Sequence, residues 1–206
     1  MHGQHKPSTL LLTGFEAFGD DPSGRGLNPS AQIATTLHGM QIGPWRIAGH
    51  VLPCEYARSV RTLKTLMREY APQAVVCLGQ AGGRNAISLE RIAVNWDEAA
   101  LPDNAGTLRD GRPIFKSTPA AYFSTLPLHA MRDAIQAQGI AAELSSSAGH
   151  FVCNHLFYCM MHALRKTRVR AGFIHMPYLP EQAASVVPSM PLLTMISGLQ
   201  AALRML

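Results

Sequence analysis

The sequence predicts an α/β fold: a single domain on an open, twisted, mostly parallel sheet with helices packed on both faces. Apolar segments of strand length alternate along the chain with longer segments whose apolar residues recur at the helical period. The chain has 206 residues, of which 47% are hydrophobic and 15% charged, as is typical of a compact globular protein. We therefore expect residues 1–206 to form one domain, with residues 1–8 as a flexible N-terminal segment.

Three strands and two helices are predicted in the first half of the chain. The strands are short apolar runs at residues 9–12, 45–52 and 74–78. The first helix has Asn28 as its N-cap, Pro29 at its first helical position and Gly39 at its end. The second helix covers residues 56–70, where apolar side chains keep a helical spacing.

The second half of the chain repeats the alternation. Strands are predicted at residues 87–95, 141–145 and 171–175. Helices are predicted at residues 128–138 and 154–166, and an apolar stripe marks a C-terminal helix over residues 192–206. Residues 97–119 are rich in Pro, Gly, Asp and Asn, which predicts a long loop with short strands at most. Loops of this length are often functional.

The basic residues are not expected to form a nucleic-acid site. The formal net charge is +5, but the lysines and arginines are spread along the chain. One group lies on the helix at residues 56–70, and another lies at residues 165–170, near a helix C-terminus, where cations are favoured. Aromatic residues are not interleaved with either group, so we expect solvated helix faces and no nucleic-acid partner.

Cysteine usage and hydropathy indicate the compartment. None of the four cysteines forms a Cys-x-x-Cys pair, so zinc-ribbon and thioredoxin folds lose support, and we expect neither a metal nor a cofactor. The first residues are polar and lack the apolar segment of a signal peptide. No apolar run approaches the roughly 20 residues that span a bilayer. We expect a cytoplasmic protein with reduced thiols and no membrane contact.

One cysteine lies where a strand gives way to a helix. Cys153 follows a Ser/Gly-rich turn and precedes the predicted helix at residues 154–166. Backbone N–H groups and the helix dipole favour a thiolate there, and open α/β sheets place their sites at the ends of strands. A single cysteine is more often a small core residue, as we predict for Cys77 and Cys159, while Cys54 is left open. We predict Cys153, as a half-exposed thiol, to be a nucleophile.

A histidine and a glutamate complete the predicted chemistry. His175 ends an apolar strand just before a Pro-containing turn, and a neighbouring strand end can deliver an imidazole from a fixed direction. We therefore rank His175 above His155, and His155 above His150, as the base. Glu90 inside a strand would ordinarily face solvent or pair with an arginine, but it also fits the carboxylate that orients a catalytic imidazole.

A glycine-rich loop follows the strand at residues 74–78. Its sequence, Gly79–Arg84, fails the dinucleotide pattern, because Ala81 and Arg84 stand at glycine positions. It also fails the phosphate-loop pattern, which requires Gly-Lys-Ser/Thr. We expect this loop to let backbone groups and the Gln80 amide approach a small polar ligand.

Several motifs together carry a family resemblance. They are Thr13–Gly19 with Asn28–Ser30, Gly79–Arg84, Ile87–Arg91, Pro102–Asn104, Phe151–Tyr158 and Phe173–Gln182. In this order, from about Leu10 to the C-terminus, the chain resembles the pyroglutamyl peptidase I, or pyrrolidone-carboxylate peptidase, family of cysteine peptidases. The resemblance implies a catalytic triad of Glu90, Cys153 and His175.

The resemblance also implies a substrate and a binding site. The substrates would be peptides with an N-terminal pyroglutamyl (5-oxoprolyl) residue, and family members are often tetramers, which implies a homo-oligomer. The implied pocket for the lactam ring is apolar and consists of Phe15, Phe18, Phe151 and Val152. The implied polar contacts to the ring amide come from Asn28 and Gln80.

The chain departs from the family pattern at three places. Extra residues around Ser23–Gly26 lengthen the loop before Asn28, Ala100 stands where an arginine is usual, and His150 stands where a small residue is common. These changes leave open a thiol amidase or esterase that acts on another small acyl group. A third hypothesis is a non-catalytic binding protein on the same fold. Activity on a pyroglutamyl chromogenic substrate separates the three.

Overall fold

The computed structural model describes residues 8–19, 26–183 and 186–206. Its strands are β1 (Ser8–Phe15), β2 (Gln41–Ile42), β3 (Trp45–Leu52), β4 (Ala74–Gln80), β5 (Ile87–Glu90), β6 (Ile92–Val94), β7 (Asp97–Glu98), β8 (Asp110–Arg112), β9 (Ala121–Phe123), β10 (Ala142–Ser145) and β11 (Arg170–Met176). Its α-helices are α1 (Pro29–Leu37), α2 (Tyr56–Tyr70), α3 (Leu128–Gln136), α4 (Val152–Leu164) and α5 (Leu192–Leu203). A short 3₁₀-helix covers Pro180–Gln182.

A seven-stranded sheet forms the centre of the domain, in the order β10-β5-β11-β4-β1-β3-β2. The pairs β1–β3, β1–β4, β4–β11 and β5–β10 are parallel, whereas β5–β11 and β2–β3 are antiparallel. Two small sheets, β6–β9 and β7–β8, lie outside it. The predicted fold class, a single α/β domain on an open and mostly parallel sheet, is confirmed.

Helices cover both faces of the sheet and bury one apolar cluster on each. On one face α1, α3 and α5 contribute residues such as Ile33, Met131 and Leu199. On the other face α2 and α4 contribute residues such as Leu63 and Phe157. Strands buried on both faces explain why the predicted strands are continuous apolar runs rather than alternating ones.

A glycine in β1 lets α1 approach the sheet. A Cβ atom on Gly14 would lie 2.1 Å from the carbonyl oxygen of Ser30, in the first turn of α1. Only the absence of a side chain at Gly14 permits this separation. The contact brings the start of α1, and the loop before it, close to the carboxyl end of β1.

Most predicted elements occur near their predicted positions. The strand at residues 45–52 and the helix at 56–70 match β3 and α2. The predicted strand at 87–95 is wrong as one element, because β5 joins the central sheet while β6 pairs with β9. The loop at 97–119 contains β7 and β8. Helix α4 begins at Val152 rather than 154, which places Cys153 in its first turn.

Two further expectations concern the N-terminal segment and membrane-spanning helices. Of the segment at residues 1–8, only Ser8 is described, and it begins β1. The other seven residues lie outside the described structure. Within the described ranges, no helix is long and apolar enough to span a membrane.

Candidate active site

Cys153 lies in the first turn of α4, at the carboxyl ends of β1, β4 and β11. Phe151, the N-cap residue, makes no capping side-chain hydrogen bond in the described structure. Its carbonyl accepts a hydrogen bond from the His155 amide. The N–H groups of a first turn have no partner within the helix, so α4 presents donors and the positive end of its dipole beside the thiol.

The side chain of Cys153 occupies space left by a glycine. A Cβ on Gly79, in β4, would lie 3.0 Å from the Cys153 Sγ and 2.9 Å from the Phe173 ring. In the sheet register Gly79 is paired with His175 of β11. The thiol therefore lies over the sheet directly beside the strand that carries His175.

His175 and Glu90 form a buried hydrogen-bonded pair. The distance between His175 Nδ1 and Glu90 Oε1 is 2.8 Å, and both side chains are buried. The antiparallel register pairs Glu90 with Phe173, so the Glu90 side chain and the His175 side chain project from the same face. A carboxylate only accepts, so Nδ1 carries the proton, and Nε2 is the nitrogen left to accept one.

Arg84 holds the same carboxylate oxygen. Its Nη1 donates to Glu90 Oε1 at 2.7 Å, and its Nη2 donates to the carbonyl oxygen of Ser147 at 3.0 Å. Burial opposes ionisation of Glu90, but the hydrogen bond from His175, the charge His175 carries when protonated, and the hydrogen bond from Arg84 outweigh it and hold the pKa of Glu90 below its ordinary value. Glu90 is therefore an anion although no solvent reaches it.

The thiol of Cys153 is neutral at rest. It is only 5% exposed, so the expectation of a half-exposed thiol is wrong. Burial raises the pKa of Cys153 to about 12, the charge of Glu90 adds to this, and Arg84 offsets part of it. Desolvation therefore opposes the thiolate, which the N-terminus of α4 favours. A base must remove this proton before the sulfur can attack.

The two lower-ranked histidines lie elsewhere. His155 Nδ1 is 2.8 Å from Asp97 Oδ2, and His155 Nε2 is 3.8 Å from the Sγ of Cys159. The imidazole of His155 therefore faces a different thiol. His150 is exposed, and its carbonyl accepts a hydrogen bond from the Glu98 amide. Of the three candidates, only His175 is joined to Glu90.

The predicted pocket aromatics come together from two distant segments. The rings of Phe18 and Phe151 have centroids 5.6 Å apart, and both are partly buried. Phe15 and Val152 are buried, and the Phe15 ring lies 6.5 Å from that of Phe173. Phe18 and Phe151 therefore keep some exposed surface, whereas Phe15 and Val152 have almost none.

The two predicted polar residues use their side chains within the protein. Asn28 is the N-cap of α1, as predicted: its Oδ1 accepts from the Ser30 amide and hydroxyl, and its Nδ2 donates to the Glu16 carbonyl. Gln80 Oε1 accepts from Gln182 Nε2 at 2.9 Å. Strand alternation places the Gln80 side chain on the face opposite Cys153. Only the Gln80 backbone is thus available to a ligand beside Cys153.

Sequence reasoning missed several residues that build the site. Arg84 was assigned no role, although an arginine after a glycine-rich loop is a signal for an anionic partner. Buried Asn154 bonds to both backbone groups of Val94 and to the carbonyl of Trp96, which ties α4 to the segment before β7. Its signal was a polar side chain in an apolar helix. The ring of Tyr56 lies 5.7 Å from that of Phe151, but the sequence around Tyr56 shows only a helical spacing and gives no sign of a role in the site.

The departures from the family pattern are described only in part. Ala100 is exposed, and the Ala99 amide donates to the carbonyl of Arg109, whose guanidinium lies 5.0 Å from the centre of the Tyr56 ring. Of the Ser23–Gly26 loop, only Gly26 is described. Over the described ranges, no cluster of three or more His, Cys, Asp or Glu side chains could hold a metal ion.

Comparisons with known proteins identify the family. A family profile described as pyroglutamyl peptidase matches residues 8–206. A pyrrolidone-carboxylate peptidase from Bacillus thuringiensis is 44% identical over 94% of this chain and 90% of its own length. The crystal structure of pyroglutamyl peptidase I from Bacillus amyloliquefaciens is 39% identical, with a TM-score of 0.91 over 96% of both chains.

Another solved structure extends the likeness beyond Bacillus. Pyrrolidone carboxyl peptidase from Thermococcus litoralis is 36% identical, with a TM-score of 0.91 over 96% of this chain and 92% of that one. Sequence, fold and family profile agree over nearly the whole chain. The chain belongs to the pyroglutamyl peptidase family.

Proposed function

We propose that the protein is a cysteine exopeptidase that hydrolyses the peptide bond after an N-terminal pyroglutamyl residue. Membership of the pyroglutamyl peptidase family supports this substrate class. The observation that carries the proposal is the hydrogen-bonded pair of His175 and Glu90, beside a thiol at an uncapped helix N-terminus. A nucleophile, a base and an orienting carboxylate are the parts that covalent acyl transfer requires.

The mechanism begins with a neutral thiol. His175 Nε2 takes the proton from Cys153 as Sγ attacks the pyroglutamyl carbonyl carbon, and Glu90 stabilises the resulting imidazolium. First-turn amides of α4 donate to the oxyanion, a contribution of about 2.7–4 kcal/mol per donor. The imidazolium then protonates the leaving amine, which leaves a thioester on Cys153. His175 activates a water, which hydrolyses the thioester and releases pyroglutamate.

Recognition of the lactam would combine packing and a few hydrogen bonds. Phe18 and Phe151 would enclose the ring, above Phe15 and Val152. Burying so small a ring contributes only a few kcal/mol, so discrimination depends on the ring amide. The remaining Nδ2 hydrogen of Asn28 and the Gln80 backbone would supply those contacts. A ring without the amide would leave these groups without partners and would be rejected strongly.

We further propose that residues 1–206 work as one domain, in the cytoplasm, as a homotetramer without metal or cofactor. All four cysteines are free and buried, which supports a reducing compartment. The tetramer rests on the family resemblance. Light scattering coupled to size-exclusion chromatography tests it directly.

Hydrolysis of a pyroglutamyl chromogenic amide tests the activity. The wild type should cleave it, should not cleave the matching prolyl amide, and should be indifferent to EDTA. Cys159→Ala serves as the matched control for Cys153→Ala, because both remove a buried thiol from α4. Cleavage of other small acyl amides without cleavage of the pyroglutamyl one would overturn the proposal, as would a metal requirement.

A further inference from the structure

We propose that Arg84 is a positioning residue for the reaction: it supplies the positive charge that Glu90 requires, so that His175 remains an unprotonated base. The inference deepens the proposed function and rests on it for its kinetic test. It assigns a fourth member to the network around Cys153. Arg84 acts through Glu90 and His175 and is not required to touch the substrate.

The first support is the sharing of one oxygen atom. Arg84 Nη1 and His175 Nδ1 both donate to Glu90 Oε1, at 2.7 and 2.8 Å. The side chain of Glu90 is fully buried, whereas that of Arg84 is 26% exposed. The guanidinium therefore lies between the buried carboxylate and solvent.

The second support is charge balance. An ionised carboxylate is stable inside a protein only when a cation or several hydrogen bonds compensate it. With Arg84 in place, the group of Arg84, Glu90 and neutral His175 has no net charge. Without Arg84, the buried pair of Glu90 and His175 would regain neutrality by taking up a proton. Whichever of the two held that proton, His175 would no longer be a base oriented by an anion.

Among the ionisable groups around Glu90, Arg84 supplies the balancing positive charge. The ionisable groups that act on the cluster are Cys153 from α4, Cys77 from β4, Glu90 from β5 and Arg84 from the loop after β4. Burial raises the pKa of both thiols to about 12, so both are neutral near pH 7. Among these groups, Arg84 is the one that is always a cation.

The loop that carries Arg84 is held in place from two sides. Arg84 Nη2 donates to the carbonyl of Ser147, in the segment before α4. A Cβ on Gly82 would lie 2.2 Å from the ring of Tyr178, so that ring packs directly on the loop backbone. These contacts fix the guanidinium against Glu90, as a positioning role requires.

Two substitutions separate charge from geometry. Arg84→Met removes the charge and keeps a long side chain, whereas Arg84→Lys keeps the charge and loses the two-pronged contact. Arg91→Met is the matched control, because Arg91 is exposed and adjacent to Glu90 in sequence. The measurement is kcat/KM for a pyroglutamyl chromogenic amide against pH.

In the wild type, kcat/KM should fall on the acidic side of its pH profile as the buried pair takes up a proton. In Arg84→Met we expect this acid limb to lie at least about one pH unit higher, so that kcat/KM at a given acidic pH is about tenfold lower and recovers in part at higher pH. Arg84→Lys should lower kcat without moving the limb, and Arg91→Met should match the wild type. Added guanidinium ions should restore part of the Arg84→Met activity. The inference would be overturned if folded Arg84→Met kept the acid limb of the wild-type pH profile, or if the acid limb were shifted in Arg84→Lys.

A second measurement does not depend on the substrate. NMR titration of carbon-labelled histidine, with His175→Asn to assign the signal, reports when His175 takes up its proton. Arg84→Met should shift that titration, to higher pH if His175 takes up the proton and to lower pH if Glu90 takes it, whereas Arg84→Lys should leave it near the wild-type position. If the enzyme fails to cleave pyroglutamyl substrates, the proposed function fails and the titration still decides the role of Arg84. An unchanged titration in folded Arg84→Met contradicts it.

Discussion

Helix α4 carries two cysteines, and each faces an imidazole that is bound to a carboxylate. Cys153 lies beside the pair of His175 and Glu90, whereas Cys159 lies beside the pair of His155 and Asp97. Both thiols are 5% exposed, and burial raises the pKa of each to about 12. Neither exposure nor acidity distinguishes them.

The difference lies in what surrounds each group. Cys153 is in the first turn of α4, where backbone N–H groups can stabilise an oxyanion. Cys159 is in the helix interior, where those groups belong to the helical ladder. His155 precedes Cys159 by one turn on the same helix, whereas His175 lies on β11 opposite Gly79, the residue over which the Cys153 Sγ lies. A thiol, an imidazole and a carboxylate are therefore insufficient, and we expect catalysis only at Cys153, where backbone donors can stabilise an oxyanion.

The largest expected effect is the removal of each thiol in turn. Cys153→Ala should lower kcat by roughly 10⁴-fold or more, because no other group can form the acyl intermediate. Cys159→Ala should keep kcat within about twofold and only lower stability, by roughly 1–2 kcal/mol for the lost buried sulfur. Steady-state kinetics and thermal unfolding of both variants test this. Equal losses of kcat would erase the distinction between the two clusters.

The carboxylates should differ in the same way. Glu90→Gln should lower kcat by roughly 10²–10⁴-fold with a smaller change in KM, because an amide does not stabilise the imidazolium. Asp97→Asn should mainly lower the midpoint of thermal unfolding, since Asp97 ties β7 to α4 through His155. Wild-type turnover in Glu90→Gln would return this residue to a structural role.

The next distinction is the expected ring pocket, which the resemblance assigns to the segment before Cys153, where the rings of Phe18 and Phe151 pack together. Phe18→Ala should raise KM for a pyroglutamyl amide by roughly tenfold, because it removes one wall of the ring site. It should not create activity on prolyl substrates, which lack the ring amide. New prolyl activity would show that packing rather than hydrogen bonding sets specificity.

The two thiols should contribute equally to the fall in the free energy of unfolding at alkaline pH. Between pH 9 and about 12, an unfolded thiol loses its proton while the buried thiols of Cys153 and Cys159 keep theirs. The unfolded state then binds fewer protons, so stability falls as pH rises, by about 1.4 kcal/mol per unit for each thiol. Denaturant unfolding at pH 8 to 10.5 measures how steeply the free energy of unfolding falls with pH. That fall should become less steep by the same amount in Cys153→Ala and in Cys159→Ala. A difference between them would contradict equal burial.

Much of this arrangement could be predicted from local patterns. The apolar period of residues 56–70 sets the bounds of α2, and the Asn28-Pro29 pair marks the start of α1. The motifs also select Glu90 and His175, which the fold brings into contact, although their catalytic roles stay predictions. These features depend on residues close together in sequence or on a whole-family pattern.

The rest depends on packing between distant segments. The burial of Cys153 follows from its position over Gly79 and Phe173, which no local pattern contains. The same holds for the choice of Glu90 as the partner of Arg84, and for the pairing of β6 with β9. The orientation of the Gln80 side chain, in contrast, could have been predicted from the sequence, because side chains alternate between the two faces of a strand and Gln80 follows Gly79.

The most direct test of the central claim is to trap the nucleophile with a substrate-like electrophile. In a pyroglutamyl chloromethyl ketone, a thiol can displace chloride and form a stable thioether. Peptide mapping by mass spectrometry should find one adduct, on Cys153, formed as activity is lost. The adduct should be absent from Cys153→Ala and unchanged in Cys159→Ala. Loss of activity with the adduct on Cys159, or on any residue other than Cys153, would contradict the account.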